Sequence, residues 1–221
     1  MSHLLHINTA LETASLSVSL EDKVISERKS HNQKEHAAFL HVAIDEMLRE
    51  NDMAPSQLSG VSVISGPGSY TGLRVGMACA KGLCFALSIP LININTLEWM
   101  AAAAHDEERD LFCPMIDARR MEVFTALYDR RKKCVLLPQA LILTSESFSD
   151  WLEDRKILFF GNGAEKFRML VNHPNASFGT VTSGAEELAV MAWSKYVHSE
   201  FSDLTYAEPL YVKEFQGTTP S

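Results

Sequence analysis

The stretch GPGSYTGLRVG, Gly66 to Gly76, follows the apolar run VSVIS (Val61–Ser65) and leads into a helix-forming run from Leu73 to Leu87. A buried strand, a glycine-rich turn and a long helix are the parts of a nucleotide-binding α/β unit. The turn lacks the lysine that a P-loop, GxxxxGK[ST], brings to its phosphates, because Leu73 and Arg74 follow Gly72. The dinucleotide pattern GxGxxG is met only loosely, by Gly66, Gly68 and a late Gly72. Free amides at a helix start can still hold an anion, which makes Gly66, Gly68 and Ser69 the candidate ligand positions, for ATP or ADP. The competing reading is packing. Gly72, Gly76 and Ala80 recur every four residues on one helix face, where another backbone can approach closely, inside the chain or on a partner. A glycine inside a helix costs about 1 kcal/mol relative to alanine, so such a contact must offset it.

Outward from this turn, LLHIN (Leu4–Asn8) reads as a buried strand and ASLSVSL (Ala14–Leu20) as a half-buried one, with VISERK returning after an EDK turn. A helix is expected from about Glu35 to Asn51, with Phe39, Leu40, Ala43, Met47 and Leu48 as its apolar stripe. Pro90 ends the second helix and PLININT resumes as a strand. The second half repeats the order. Strands are expected at Phe112–Asp117, Met121–Tyr128 and Cys134–Pro138, then a helix from about Ser145 to Glu153. Strand ILFFG (Ile157–Gly161), a helix opening at GNGAEKFRMLV and a last helix from about Ala185 to His198 follow. A repeated order of elements predicts a duplicated α/β protein with two lobes, residues 1–104 and 105–221, each a mixed sheet with flanking helices.

The chain of 221 residues is 46% hydrophobic, enough for a core in each lobe. Its net charge of -8 argues against a protein that grips nucleic acid by itself, since that affinity rests largely on phosphate contacts. The dense basic cluster Arg130–Lys133 lies between two apolar runs and reads first as a solvated hairpin turn. Cys79, Cys84, Cys113 and Cys134 form no CxxC pair; Cys79 and Cys84, in an apolar helical run, read as buried free thiols, and a reducing setting fits all four. No apolar run is long enough to span a membrane, and MSHLLHINTALE has no basic leader, so a cytoplasmic protein without membrane contact is expected.

Catalytic constellations are sparse. His36 and His41 are five apart and diverge by about 140° on a helix of 3.6 residues per turn, which places them poorly for one metal ion. No GxSxG nucleophile motif occurs. Asp117, Arg119 and Arg120 form a charged group between two strands, readable as a turn whose aspartate accepts backbone bonds or as an inter-lobe or partner salt-bridge site.

GPGSYTGLRVG, PMIDARRMEVFTALY (Pro114–Tyr128), IPLININTLEWMA (Ile89–Ala101) and the GNGA turn (Gly161–Ala164) together resemble the bacterial TsaB (YeaZ) family, within the actin-like ATPase, ribonuclease H-like superfamily. The resemblance spans nearly the whole chain. It implies a role in making threonylcarbamoyladenosine, the modified base beside the anticodon of tRNA. It further implies a non-catalytic subunit that docks through its N-terminal lobe onto TsaD, the metal-binding catalytic paralogue, with TsaE as an ATP-binding third component. A homodimer in isolation and tRNA contact only through the partner are also implied, with no cofactor of its own. His36, Leu40, Met47, Tyr70, Gly72, Leu73, Gly76 and Ala80 are the expected partner-facing residues. Relatives often carry aspartate at the end of the first strand, where actin-like ATPases organise magnesium; Asn8 stands here and is a poor magnesium anchor. A small actin-like ATPase or phosphotransferase is the alternative. A glycoprotease-like endopeptidase, suggested by older family names, is disfavoured because no triad, metal pair or carboxylate pair is visible.

Overall fold

Alternation in the first strands decides how the first unit is layered. A computed structural model describes residues 1–31 and 36–213. Leu5 and Ile7 of β1 (His3–Asn8), with Leu16 and Val18 of β2 (Ala14–Leu20), join Leu40, Met47, Met77 and Ala80 in one buried aliphatic cluster. That cluster lies under α1 (His36–Glu50) and α2 (Tyr70–Leu87). Leu4 and His6 alternate to the other face. There α6 (Ala185–Val197) crosses the sheet, with its Tyr196 beside Gly60 and Leu4. β3 (Lys23–Ser30), β4 (Leu58–Gly66) and β5 (Leu91–Asn95) complete a sheet in the order β3-β2-β1-β4-β5. β1 runs antiparallel to β2 and parallel to β4.

Two compact units result: Met1–Ala103 with Thr182–Pro209, and Ala104–Val181 with the chain from Leu210. The division after Ala103 falls beside the expected 104/105 boundary, but the expected second lobe is not continuous. Its last helix returns to the first unit. Ala185, Leu188, Ala189 and Ala192 give α6 a buried face, which the first sheet and α3 (Thr96–Ala102) receive. Polar bonds fix the return: Trp99 Nε1 donates to Gly184 O at 3.0 Å, and Lys195 Nζ to Asn93 O at 3.2 Å. Ser202 N donates to Leu91 O at 2.8 Å and covers the edge strand β5.

The second unit repeats the sheet order as β10-β9-β6-β7-β8. Its strands are β6 (Leu111–Asp117), β7 (Glu122–Asp129), β8 (Cys134–Ile142), β9 (Ile157–Phe160) and β10 (Ala176–Phe178). The core here is aromatic: Phe148, Phe159, Phe167 and Phe178 meet with centroids 4.9–6.2 Å apart. Two expected elements differ. The helix expected over Ser145–Glu153 shrinks to α4 (Ser149–Leu152), because Phe148, at φ 63°, turns its ring into this cluster and breaks the helix. β8 continues past Pro138 to Ile142, which an edge strand tolerates since the missing N–H is not needed. α5 (Ala164–Arg168) follows the GNGA turn. Both units are thus α/β, a mixed sheet with flanking helices, as expected of the ribonuclease H-like fold. Among the described residues no helix is long and apolar enough to cross a membrane.

Candidate functional site

In the first unit the glycine turn is packed against the end of β1. A Cβ on Gly68 would sit 2.3 Å from Ala10 O, one on Gly72 2.0 Å from Thr9 O, and one on Gly76 2.3 Å from Thr9 Oγ1. At Gly68 and Gly72 the clash is with backbone carbonyls, so glycine alone fits; at Gly76 it is with the Thr9 hydroxyl, which would have to shift. Three donors of the turn are engaged internally. Ser69 N donates to Ala10 O at 2.7 Å, Gly72 N to the Ser69 hydroxyl at 3.3 Å, and Leu73 N to Ser69 O at 2.8 Å. Thr9 Oγ1 donates to Gly72 O at 2.7 Å and locks the same seam. Asn8 is buried and its Oδ1 accepts from Ala10 N at 3.1 Å, so its amide serves the local turn. Gly66, at φ 120°, supplies the bend that β4 needs to enter the turn.

This geometry corrects the expected partner face. Gly72 and Gly76 are buried against β1, and Leu40, Met47, Leu73 and Ala80 lie in the unit's own core, all within 2% exposure. Gly72, Leu73, Gly76 and Ala80 share one arc of α2 with Met77 and Cys84, the arc that rests on the sheet, while Leu40 and Met47 belong to the buried face of α1. Tyr70 is half-buried and carries the Arg74 guanidinium 4.1 Å above its ring. The side chain of His36 lies outside the described residues. The solvent-facing arc of α2 is instead Ala78, Gly82, Phe85 and Ala86, with Phe85 80% exposed. Gly82 is unlike the other helical glycines: a Cβ there meets nothing within 4 Å. On α1, Val42 is 59% exposed. Sequence reasoning missed this stripe, although Ala78, Gly82 and Phe85 fall opposite the apolar spacing of Leu73, Met77, Ala80 and Cys84.

The second unit carries different chemistry at the same topological point. Asp117 ends β6, as Asn8 ends β1. Its Oδ1 accepts from Lys166 Nζ at 2.6 Å and from Arg119 N at 2.6 Å, while Asp117 N donates to Asn162 Oδ1 at 2.9 Å. Burial pushes the Asp117 pKa up, but the Lys166 and Arg119 hydrogen bonds and the Lys166 charge outweigh it and hold the carboxyl below its ordinary value. Beside it, Glu122 pairs with Lys213 at 2.6 Å. Arg119 and Arg120 are exposed and both left-handed, at φ 70° and 48°. Each such non-glycine residue costs about 1 kcal/mol.

Three other groups are structural by their surroundings. His6 is fully buried, with Nδ1 2.7 Å from Ser62 Oγ and Nε2 2.8 Å from Ser19 Oγ. Ser19 donates its hydroxyl proton to Glu21 O at 2.8 Å, so it accepts from His6, which assigns the imidazole proton to Nε2. Burial pushes the His6 pKa down to about 3, so the ring is neutral. Cys79, Cys84 and Cys113 are buried free thiols, pushed up to about 11, 11 and 12 by burial. In the basic cluster, Lys132 lies 3.8 Å from the Phe112 ring centroid and donates to Ala104 O, while Arg130 donates to Arg109 O at 2.6 Å. Both line a cavity of about 300 Å³ with His105, Asp106 and Glu107. Among the described residues no three His, Cys, Asp or Glu side chains gather as a metal site.

The TsaD family model, tRNA N6-adenosine threonylcarbamoyltransferase, matches residues 20–194. The chain is 34% identical to the tRNA threonylcarbamoyladenosine biosynthesis protein TsaB of Bacillus subtilis (strain 168), over 83% of this chain and 81% of that one. It is also 40% identical to a tRNA N6-adenosine threonylcarbamoyltransferase of Nitratidesulfovibrio vulgaris (strain DP4), over 38% of this chain and 23% of that one. YeaZ from Pseudomonas aeruginosa has the same fold, with a TM-score of 0.78 at 25% identity over 96% of this chain and 100% of that one. With this identity over most of both chains and one fold throughout, the chain belongs to the TsaB (YeaZ) family of tRNA threonylcarbamoyladenosine biosynthesis proteins.

Proposed function

We propose that this chain serves tRNA threonylcarbamoyladenosine biosynthesis as a non-catalytic subunit that docks through its first unit onto the threonylcarbamoyltransferase, TsaD. The closed glycine turn carries this reading. Where a nucleotide-binding relative would present free amides and a carboxylate, Ser69, Gly72 and Leu73 donate to the chain's own oxygens, and Asn8 is neutral. The docking face is the exposed arc of α2, Ala78, Gly82, Phe85 and Ala86, with Val42 of α1. Small residues there let a partner helix approach closely, and Phe85 offers a large apolar anchor. Such a face left bare is an apolar patch, so two copies pair through it when the paralogue is absent. A TsaE-like ATPase joins the assembled pair.

Two measurements test this. Size-exclusion chromatography with the cognate TsaD-like protein is expected to give a complex at micromolar concentrations; two separate peaks from folded proteins would count against docking. Calorimetry of the isolated chain with ATP and magnesium is expected to show no turnover. Binding with hydrolysis would favour the ATPase alternative instead. A protease reading predicts cleavage of a casein substrate, and none is expected.

A further inference from the structure

The turn between β6 and β7 places two arginines where backbone shape alone selects glycine or asparagine. We propose that Arg119 and Arg120 contact the phosphodiester backbone of the RNA on which this pathway acts. The identity of that RNA rests on the function proposed above; the site itself rests on charge and geometry. Both guanidiniums are exposed, and among the described residues neither makes an ion pair or side-chain hydrogen bond. The acids beside them are already neutralised, Asp117 by Lys166 and Glu122 by Lys213. The corner is therefore locally cationic on a chain of net charge -8.

The other basic turn, Arg130–Lys133, has this property only in part: Arg131 and Lys133 are exposed and make no side-chain ion pair among the described residues, but its other two cations are engaged. Arg130 is held by Arg109 O and Asp110, Lys132 by Ala104 O and the Phe112 ring, and Asp106 and Glu107 stand close by. The shape of the β6–β7 turn selects the ligand. Arg119, Arg120 and Met121 are all exposed at a hairpin tip, which cannot enclose a small molecule as a pocket must. A polymer's phosphates are met from such projecting surfaces, and guanidinium forks match them. Direct contact at this corner revises the expectation that tRNA is reached only through the partner.

The test is a salt titration of tRNA binding, with unmodified transcript and a length-matched RNA of unrelated sequence, for the full chain alone and in complex with its TsaD-like partner. Two phosphate contacts contribute about 1.4 to 1.8 to the slope of log affinity against log salt. The double variant Arg119→Gln, Arg120→Gln is expected to lose that much slope and roughly tenfold in affinity on both RNAs, with its melting temperature unchanged. Arg119→Lys, Arg120→Lys is expected to keep most of the slope. An unchanged slope in the glutamine variant would overturn the proposal. So would an equal loss from the control Arg49→Gln, Arg155→Gln, or a loss of partner affinity with RNA binding intact, which would assign the turn to a protein contact. Failure of the chain to bind its partner removes the docking function while the chain-alone titration still reads the site.

Discussion

At the end of its first strand the first unit carries Asn8 and the second carries Asp117, on sheets of one order. Beyond Asn8 the chain is tightly packed. Ser69 N donates to Ala10 O, Gly72 N and Leu73 N donate to Ser69, and three glycines pack against Thr9 and Ala10. Around Asp117 the groups are charged and half in water, with Lys166, Arg119 and Arg120 at the rim. The cores differ in kind too, aliphatic in the first unit and built on four phenylalanines in the second. The two units share the sheet order, which follows the pattern of apolar strands, but not the strand-end chemistry, which depends on single residues. The first unit has a packed glycine seam and an exposed helix arc; the second has a charged corner.

The largest effect that sharpens this contrast is expected in the aromatic core. Phe167→Ala removes a fully buried ring that touches Phe148, Phe159 and Phe178, and should cost about 3–5 kcal/mol in urea unfolding. Next comes the sealed seam. Gly72→Val forces carbon into the Thr9 carbonyl and should cost about 3 kcal/mol or more, whereas Gly82→Ala, in open space, should gain about 0.5–1 kcal/mol. Equal losses from both would mean that the seam is not where the glycines act.

Acid separates the two units further. His6 keeps a folded pKa of about 3 against about 6.5 unfolded, so the unfolded chain takes up a proton that the folded one refuses. Stability then falls as pH drops below about 6.5, by about 2 kcal/mol between pH 7 and pH 5. His6→Leu should flatten that dependence even though the variant is less stable overall, because Ser62 loses its partner. Asp117 acts in a lower range. Its depressed pKa contributes stability above the ordinary carboxylate range, and this is lost as pH falls through the folded value. The pair with Lys166 is partly exposed, so Asp117→Asn should cost only about 0.5 kcal/mol at neutral pH.

The strands were legible because period-two alternation in ASLSVSL and the short apolar runs VSVIS and ILFF bound them. The repeated order of elements was legible for the same reason. The return of α6 to the first unit was not, since an apolar helix face does not name the sheet that will bury it. The direction of the glycine stripe was only half legible. Spacing by four puts Gly72 and Gly76 on one face, and that face already held Leu73, Met77 and Cys84, which mark the core side. The exposed stripe around Gly82 could have been found by reading the opposite arc. Left-handed backbone at Arg119 and Arg120 has no signature in residue type, because arginine is a poor choice for it.

The proposed docking surface of the first unit is the exposed arc of α2, and not the glycine turn. A Cβ at Gly82 meets nothing within 4 Å, so Gly82→Trp puts a bulky side chain on that arc from an open position. The direct measurement is its affinity for the TsaD-like partner beside that of the parent chain, with thermal melting run on both. Binding weaker by more than about tenfold, about 1.4 kcal/mol, is expected, with melting unchanged. Partner affinity equal to that of the parent chain would contradict it.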